Sequence, residues 1–161
     1  MAMRHVEHRL VGHAPMQLFD LVADVRRYPE FLPWCHAARV RRREGQVQFA
    51  ELAIGFGPWH ERFVSRVELM PDNQGGPRID TTGTEGPFRK LSSRWVFHPH
   101  AEGSLVDFEL EFEFRSMLLQ HTVRLLFADA VKHMVTAFET RANRLYGKPM
   151  PLRATPASST L

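Results

Sequence analysis

From Ser104 to Phe114 the chain alternates, with Val106, Phe108, Leu110, Phe112 and Phe114 on one side and Asp107, Glu109, Glu111 and Glu113 on the other. A two-residue period is that of a strand with one dry and one wet face. Similar patterns, punctuated by turn residues, predict strands over Arg4–Val11, Ala37–Arg43, Gln46–Ile54, Trp59–Leu69, Arg78–Thr84 and Leu91–His98. The breaks between the strands after residue 36 are Glu44-Gly45, Gly55 to Pro58, PDNQGGP, EGPF and PHAEG. Connections this short join antiparallel neighbours. In HERFVSRVEL, Arg62 and Arg66 fall out of phase with Phe63, Ser65 and Val67, which suggests this strand as a partner for the acidic face of 107–113.

The helical period appears twice. PMQLFDLVADV opens on Pro15, and Leu18, Phe19, Leu21, Val22 and Val25 recur near 3.6 residues. Pro29 and Pro33 prevent its continuation as one regular helix, leaving a short helical turn around Tyr28 to Leu32. After Phe114, Leu119, Val123, Leu126, Phe127, Ala130, Met134, Ala137, Phe138, Ala142 and Leu145 predict one long helix that ends at Gly147. The order strand, helix pair, six strands, long helix predicts an α+β fold in which a curved antiparallel sheet wraps around the C-terminal helix. Such a sheet leaves an elongated apolar space beneath the helix. Residues 1–147 form the expected domain, and the Pro/Ser/Thr-rich 148–161 a mobile C-terminal tail.

A length of 161 residues with 43% hydrophobic side chains suits a single domain. The polar, His-rich start has no apolar stretch of signal-peptide length, and no later run is long enough to span a bilayer, so the expected address is cytoplasmic, at most peripheral to the inner face of the membrane. Cys35 stands alone, which excludes an internal disulfide and a paired-thiol zinc site. A net charge of +3, from 21 basic and 18 acidic residues, is mild for a nucleic-acid binder, and no direct DNA binding is expected. Arg39, Arg41, Arg42 and Arg43 form the one local concentration, an anionic-partner surface on which Arg41 and Arg43 are expected to share a face. A solvated strand end is the plainer reading.

No catalytic motif is present. Gly55 and Gly57 are followed by His60 instead of a third glycine, and there is no GxSxG, GKS/GKT or HExxH. Asp24, Tyr28 and Glu61 have acid or base chemistry, but nothing in the sequence makes two of them converge. Cys35 and His36 are neighbours in an extended segment and point opposite ways, so the thiol is expected to be buried and inert. His98-Pro-His100, joined by His5 and His8, is the best metal candidate. Pro99 and the following AEG mark a turn there, no carboxylate stands at a ligand-like interval, and the expectation is no metal and no catalytic residue.

The aromatic supply stands out instead. Trp59, Phe63, Phe88, Trp95, Phe97, Phe108, Phe112 and Phe138 all fall at inward positions, where most of them fill the core. The segment DVRRYPEFLPWC adds Tyr28, Phe31, Leu32 and Trp34 in a connector, outside both the sheet and the long helix. So apolar a connector reads as a lid over one end of a cavity.

FDLVADVRRYPEFLPWC at 19–35, EGPFRKLSSRWVF at 85–97, VDFELEFEF at 106–114 and AFETRANRLYG at 137–147 together resemble the coenzyme Q-binding START-domain family, within the broader polyketide cyclase/dehydrase and lipid-transport superfamily. The resemblance runs from about His5 to Gly147. It implies a helix-grip fold with a hydrophobic tunnel that binds ubiquinone or a related prenylated lipid. Such a protein is a quinone carrier or chaperone supporting respiratory electron transport and not an enzyme, with the quinone as ligand and no catalytic cofactor. The resemblance carries over Tyr28, Pro29, Phe31, Leu32, Pro33 and Trp34 as the entrance, Gly86, Pro87 and Phe88 as a bend, and Leu91 and Trp95 as tunnel wall. The candidate ligand-binding residues are Tyr28, Phe31, Leu32, Trp34, Phe63, Phe88, Leu91, Trp95, Phe108, Phe112, Met134 and Phe138, the quinone head meeting one or two hydrogen-bond donors near the mouth. One bacterial branch implies an alternative, a toxin that associates with the large ribosomal subunit and blocks subunit joining. The superfamily's breadth adds a cyclase- or dehydratase-type enzyme. The expected partners are a hydrophobic small molecule and a membrane surface touched transiently, or else the large ribosomal subunit.

Overall fold

The computed structural model describes residues 2–124 and 127–147; the expected tail, 148–161, lies outside the described residues. The strands are β1 (Met3–Val11), β2 (Cys35–Glu44), β3 (Val47–Phe56), β4 (Trp59–Met70), β5 (Arg78–Glu85), β6 (Phe88–His100) and β7 (Gly103–Phe114). They form one antiparallel sheet in the order β1-β7-β6-β5-β4-β3-β2. The chain therefore meanders from β2 to β7, and β1 closes against β7. Register shifts at Cys35/Ala37, Val40/Arg42, Val64/Ser65 and Phe88/Lys90 interrupt the ladder. Bulges bend and twist the strands that carry them, which suits a sheet that must curve around a helix.

Helix α1 (Pro15–Ala23) follows β1, and its first residue is the expected proline, whose missing N–H has no partner to lose there. Gln17 reaches back so that its Oε1 accepts the Ala14 N–H at 3.1 Å. A 3-10 turn over Val25–Glu30 comes next and contains Pro29. Beyond β7, α2 (Met117–Arg124) and α3 (Phe127–Tyr146) occupy the span of the predicted long helix. Leu126 and the side chain of Phe127, both assigned to its apolar stripe, lie outside the described residues.

The stripe itself needs correction. Leu119, Phe138 and Ala142 are buried as expected, but Val131 and Val135, at 4% and 5% exposure, are core residues that the predicted stripe omitted. Leu145 is 47% exposed, and Tyr146 packs against the core in its place. The reason is that α3 is gripped on two flanks. Val135 faces α1 and the β6–β7 side, while Met134 and Phe138 face the space over the sheet, so the buried arc is wider than one 3.6-residue line.

The acidic face of β7 also finds partners other than Arg62 and Arg66. Arg4 lies 3.8 Å from Glu109, Lys90 2.9 Å from Glu111 and Arg89 3.7 Å from Glu113. Because β7 sits between β1 and β6, strand β4 is out of reach. Arg62 faces Glu51 at 3.8 Å and Arg66 faces Glu68 at 3.4 Å instead. Three hydrogen bonds made by the buried side chains of His13, Ser104 and Gln48 or their backbone tie the helical segments to the sheet and to each other. His13 Nε2 meets Asn143 Oδ1 at 2.7 Å while its carbonyl accepts the Ser104 hydroxyl at 2.6 Å, and Gln48 donates to the Ala23 carbonyl at 3.0 Å. Buried polar groups satisfied in this way fix relative positions that apolar contact alone leaves adjustable.

Candidate functional site

The sheet, α1, the 3-10 turn and α3 enclose a cavity of about 220 Å³. A neighbouring void between α1, α3 and the β6–β7 side measures about 30 Å³, the scale of a packing defect. The inner face of the sheet forms the floor of the larger space. Phe108 and Leu110 of β7, Leu91 and Trp95 of β6, Ile79 of β5 and Phe63 of β4 all line it, as their alternation requires. Val123 of α2 and Ala130, Val131, Met134 and Phe138 of α3 line the opposite side.

Of the residues chosen from sequence, Tyr28, Leu32, Trp34, Phe63, Phe88, Leu91, Trp95, Phe108, Phe112, Met134 and Phe138 line this cavity. Phe31 does not. Its ring stands edge-on to Phe138 at 5.2 Å and to Tyr28 at 5.9 Å, outside the wall, because the carbonyl of Tyr28 receives the N–H groups of both Phe31 and Leu32 and turns the chain there. Leu32 is thereby driven fully into the core, with Trp34 beside the cavity.

The connector lies across the cavity and is latched to α3. Tyr28 is edge-on to Phe138 at 5.4 Å, and Arg141, with its guanidinium 5.3 Å from the centre of the Phe31 ring, bonds Glu30 at 2.8 Å. The Tyr28 hydroxyl donates to the Val22 carbonyl. Burial raises its phenol well above the ordinary value of 10, with the charges of Cys35 and Asp24 acting the same way. Tyr28 is thus a neutral post, its one donor committed within the protein.

Three side chains that sequence reasoning did not assign add hydroxyls to an otherwise apolar wall: Ser65, Thr81 and Ser93. Their signal was present, since Ser65 shares the phase of Phe63 and Val67, and Ser93 that of Leu91 and Trp95. No Asp, Glu, His, Lys, Arg or Cys lines the cavity among the described residues.

The other candidates lie elsewhere. Cys35 is buried, its thiol pushed up to about 11 by burial, and His36 is exposed. His98 and His100 do not converge. His98 Nε2 meets Asp107 Oδ2 at 2.7 Å and His8 Nδ1 meets Oδ1 at 2.5 Å, while His100 Nδ1 accepts the Glu102 N–H at 3.1 Å and His5 faces Glu7 at 3.4 Å. Burial alone would raise Asp107, but the two imidazole hydrogen bonds hold its carboxyl below the ordinary 3.8. The arginine run on edge strand β2 is largely paired: Arg39 with Glu51, Arg41 with Glu85 at 3.1 Å, and Arg42 with Glu44 at 3.5 Å, the last also 4.2 Å over the Phe49 ring. Arg41 is the extra residue of the Val40/Arg42 bulge, so the strict alternation expected to put Arg41 and Arg43 on one face does not hold.

Residues 11–139 match the family described as polyketide cyclase / dehydrase and lipid transport. The chain belongs to this family. The family member described here is 37% identical over 137 residues to "Ribosome association toxin RatA" of Rickettsia prowazekii, covering 85% of this chain and 94% of that protein. It is also 37% identical over 154 residues to "Coenzyme Q-binding protein COQ10 homolog B, mitochondrial" of Xenopus laevis, covering 92% of this chain and 62% of that protein. Among solved structures, a START superfamily protein from Mycobacterium smegmatis superposes with a TM-score of 0.73 at 19% identity, over 89% of this chain and 98% of that one. The Zhui aromatase/cyclase from a Streptomyces strain gives 0.76 at 16% identity, over 98% and 99%. Identities this low speak for the fold alone, and the fold is the helix-grip arrangement expected from the sequence. No helix among the described residues is long and apolar enough to cross a membrane.

Proposed function

We propose that this polyketide cyclase/dehydrase and lipid-transport family member carries ubiquinone or a related prenylated lipid in the cavity, as a carrier and not as a catalyst. The observation that carries the reading is the cavity wall, built mostly from aliphatic and aromatic side chains and, among the described residues, free of ionisable side chains other than the committed Tyr28. An isoprenoid tail gains about 0.8 kcal/mol for each CH₂ it buries. General acid–base chemistry needs a proton donor and acceptor within reach of the ligand, and this wall presents none suited to neutral pH. The name of the Xenopus relative, a coenzyme Q-binding protein, agrees with the reading. Loading from a bilayer fits α2, where Met117 and Leu118 are 87% and 65% exposed beside the cations Arg115 and Arg124, a composition that suits an anionic lipid surface. Organic extraction of the protein purified from its native host, followed by mass spectrometry, is expected to release a prenylated quinone. Absence of any such lipid, together with no binding of added quinone, overturns the proposal.

A second reading, association with the large ribosomal subunit, is favoured by the name of the Rickettsia relative and by the arginine run on β2. Against it, Arg39, Arg41 and Arg42 already face carboxylates, which weakens the field they offer to a phosphate backbone. Cosedimentation with large subunits at low salt, abolished by Arg41→Glu with Arg43→Glu, is its expected signature. A protein that stays at the top of the gradient removes it.

A further inference from the structure

We propose that Ser65, Thr81 and Ser93 form a hydroxyl subsite for the neutral, oxygenated head of the carried lipid, at the centre of the cavity floor instead of at its mouth. The inference rests on the carrier reading and fixes the orientation and chemical class of the cargo. The three side chains belong to β4, β5 and β6, the middle strands of the seven-stranded sheet. Thr81 and Ser93 are directly opposed in register, and Ser65 is diagonal to Thr81 because Val67 stands opposite Thr81. Opposite Ser65 is Gly83, where an added Cβ would lie 2.9 Å from the Leu91 Cβ, so the Leu91 side chain covers that glycine and no side chain from β5 stands across from Ser65.

Serines at such positions are unexpected for packing alone, since a strand face against a dry space is usually branched or aromatic; Thr81 keeps the branched shape and adds a third hydroxyl beside them. All three line the cavity and have no hydrogen-bond partner among the described residues, and Ser65 is only 3% exposed. Hydroxyls that open onto an apolar cavity without a protein partner are best satisfied by what fills the cavity. The one other hydroxyl in the wall among the described residues, that of Tyr28 in the connector, is already given to Val22. Trp95 lies two residues from Ser93 on the same strand face, which places an indole beside any ring that bonds to Ser93. No cation lines the cavity among the described residues, which disfavours carboxylate and phosphate heads, whose charge would stay unpaired in an apolar space. What remains is a ring bearing carbonyl or ether oxygens, or an alcohol, on a hydrocarbon tail.

The test compares the parent with Thr81→Val, which keeps the shape and removes the hydroxyl, and with a triple variant that adds Ser65→Ala and Ser93→Ala. Each is titrated calorimetrically with decyl-ubiquinone, farnesol and decylbenzene, after thermal melts establish folding; if the triple variant does not fold, Thr81→Val alone decides. The parent is expected to prefer the oxygenated probes. Each lost hydrogen bond is expected to weaken them about fivefold, and the triple variant roughly a hundredfold, while decylbenzene binds as before or better. If the folded variant binds quinone as tightly as the parent, the subsite is wrong and the carrier reading stands. If the parent binds farnesol in a hydroxyl-dependent way and not quinone, the subsite stands and the quinone assignment falls. A parent that prefers decylbenzene, or binds none of the probes, overturns both.

Discussion

Replacing Trp95 by leucine separates wall from filler. The indole is buried against Phe108, Phe138 and Phe97, with ring centroids 4.3, 5.3 and 5.9 Å away, and its open side faces the cavity. Truncating a buried Trp to Ala costs about 3–5 kcal/mol, and the three extra carbons of leucine restore roughly 2 kcal/mol of that. The remaining loss is about 1–3 kcal/mol, which agrees with forfeiting two or three ring contacts at about 0.5–1.5 kcal/mol each. For a chain of this size, where each kcal/mol shifts the melting temperature by about 2–4 °C, that is a fall of about 2–12 °C, with a native far-ultraviolet circular dichroism spectrum. Quinone affinity, measured by calorimetry, is expected to fall at least about tenfold, since the ligand ring loses its stacking partner. Unchanged melting would mean that the indole is not packed as described. A folded Trp95→Leu that binds quinone as the parent does would make Trp95 a core residue with no part in binding.

Gly86 has φ of +132°, and a Cβ there would fall 2.5 Å from the Phe63 Cβ, so Gly86→Ala is expected to cost about 1–3 kcal/mol in urea unfolding; a neutral result refutes the bend. Burial raises Cys35 from its ordinary 9.0 to about 11, so the unfolded chain ionises first, and stability that is complete below about pH 9 is lost as pH rises to about 11. Urea midpoints from pH 8 to 11 are expected to fall, and to fall less in Cys35→Ala; parallel curves would contradict the assignment. Met117→Asp with Leu118→Asp, both strongly exposed, is expected to leave melting unchanged and to abolish cosedimentation with anionic vesicles, and retained vesicle binding would remove α2 as the contact. Arg141→Ala removes the bond to Glu30 and the cover of Phe31, and is expected to speed quinone release in stopped-flow measurements; an unchanged rate means that the connector is not a gate.

The elements were legible because their signals are local. Alternation in 104–114 specifies a strand and its dry face whatever lies beside it, and Pro15 and Gly147 mark helix boundaries through their own backbone restrictions. The same phase placed Trp95, Phe108 and Leu91 inward before any contact was known. Neighbour relations were not legible, because a glutamate on β7 carries no mark of whether Arg62 or Lys90 will stand beside it; the order of strands in the sheet decided for Lys90. A single bulge moved Arg41 out of step with Arg43, and one turn of the connector took Phe31 off the wall while sending Leu32 into the core. The hydroxyls of Ser65, Thr81 and Ser93 come from three separate strands, and only strand pairing gathers them into one patch. Local sequence thus determined which side of each element is dry, since that depends on a period of two or 3.6 residues. The tertiary structure decided which dry sides meet and where they stay apart, because a curved sheet touches its helix along the flanks and leaves the space between them unfilled.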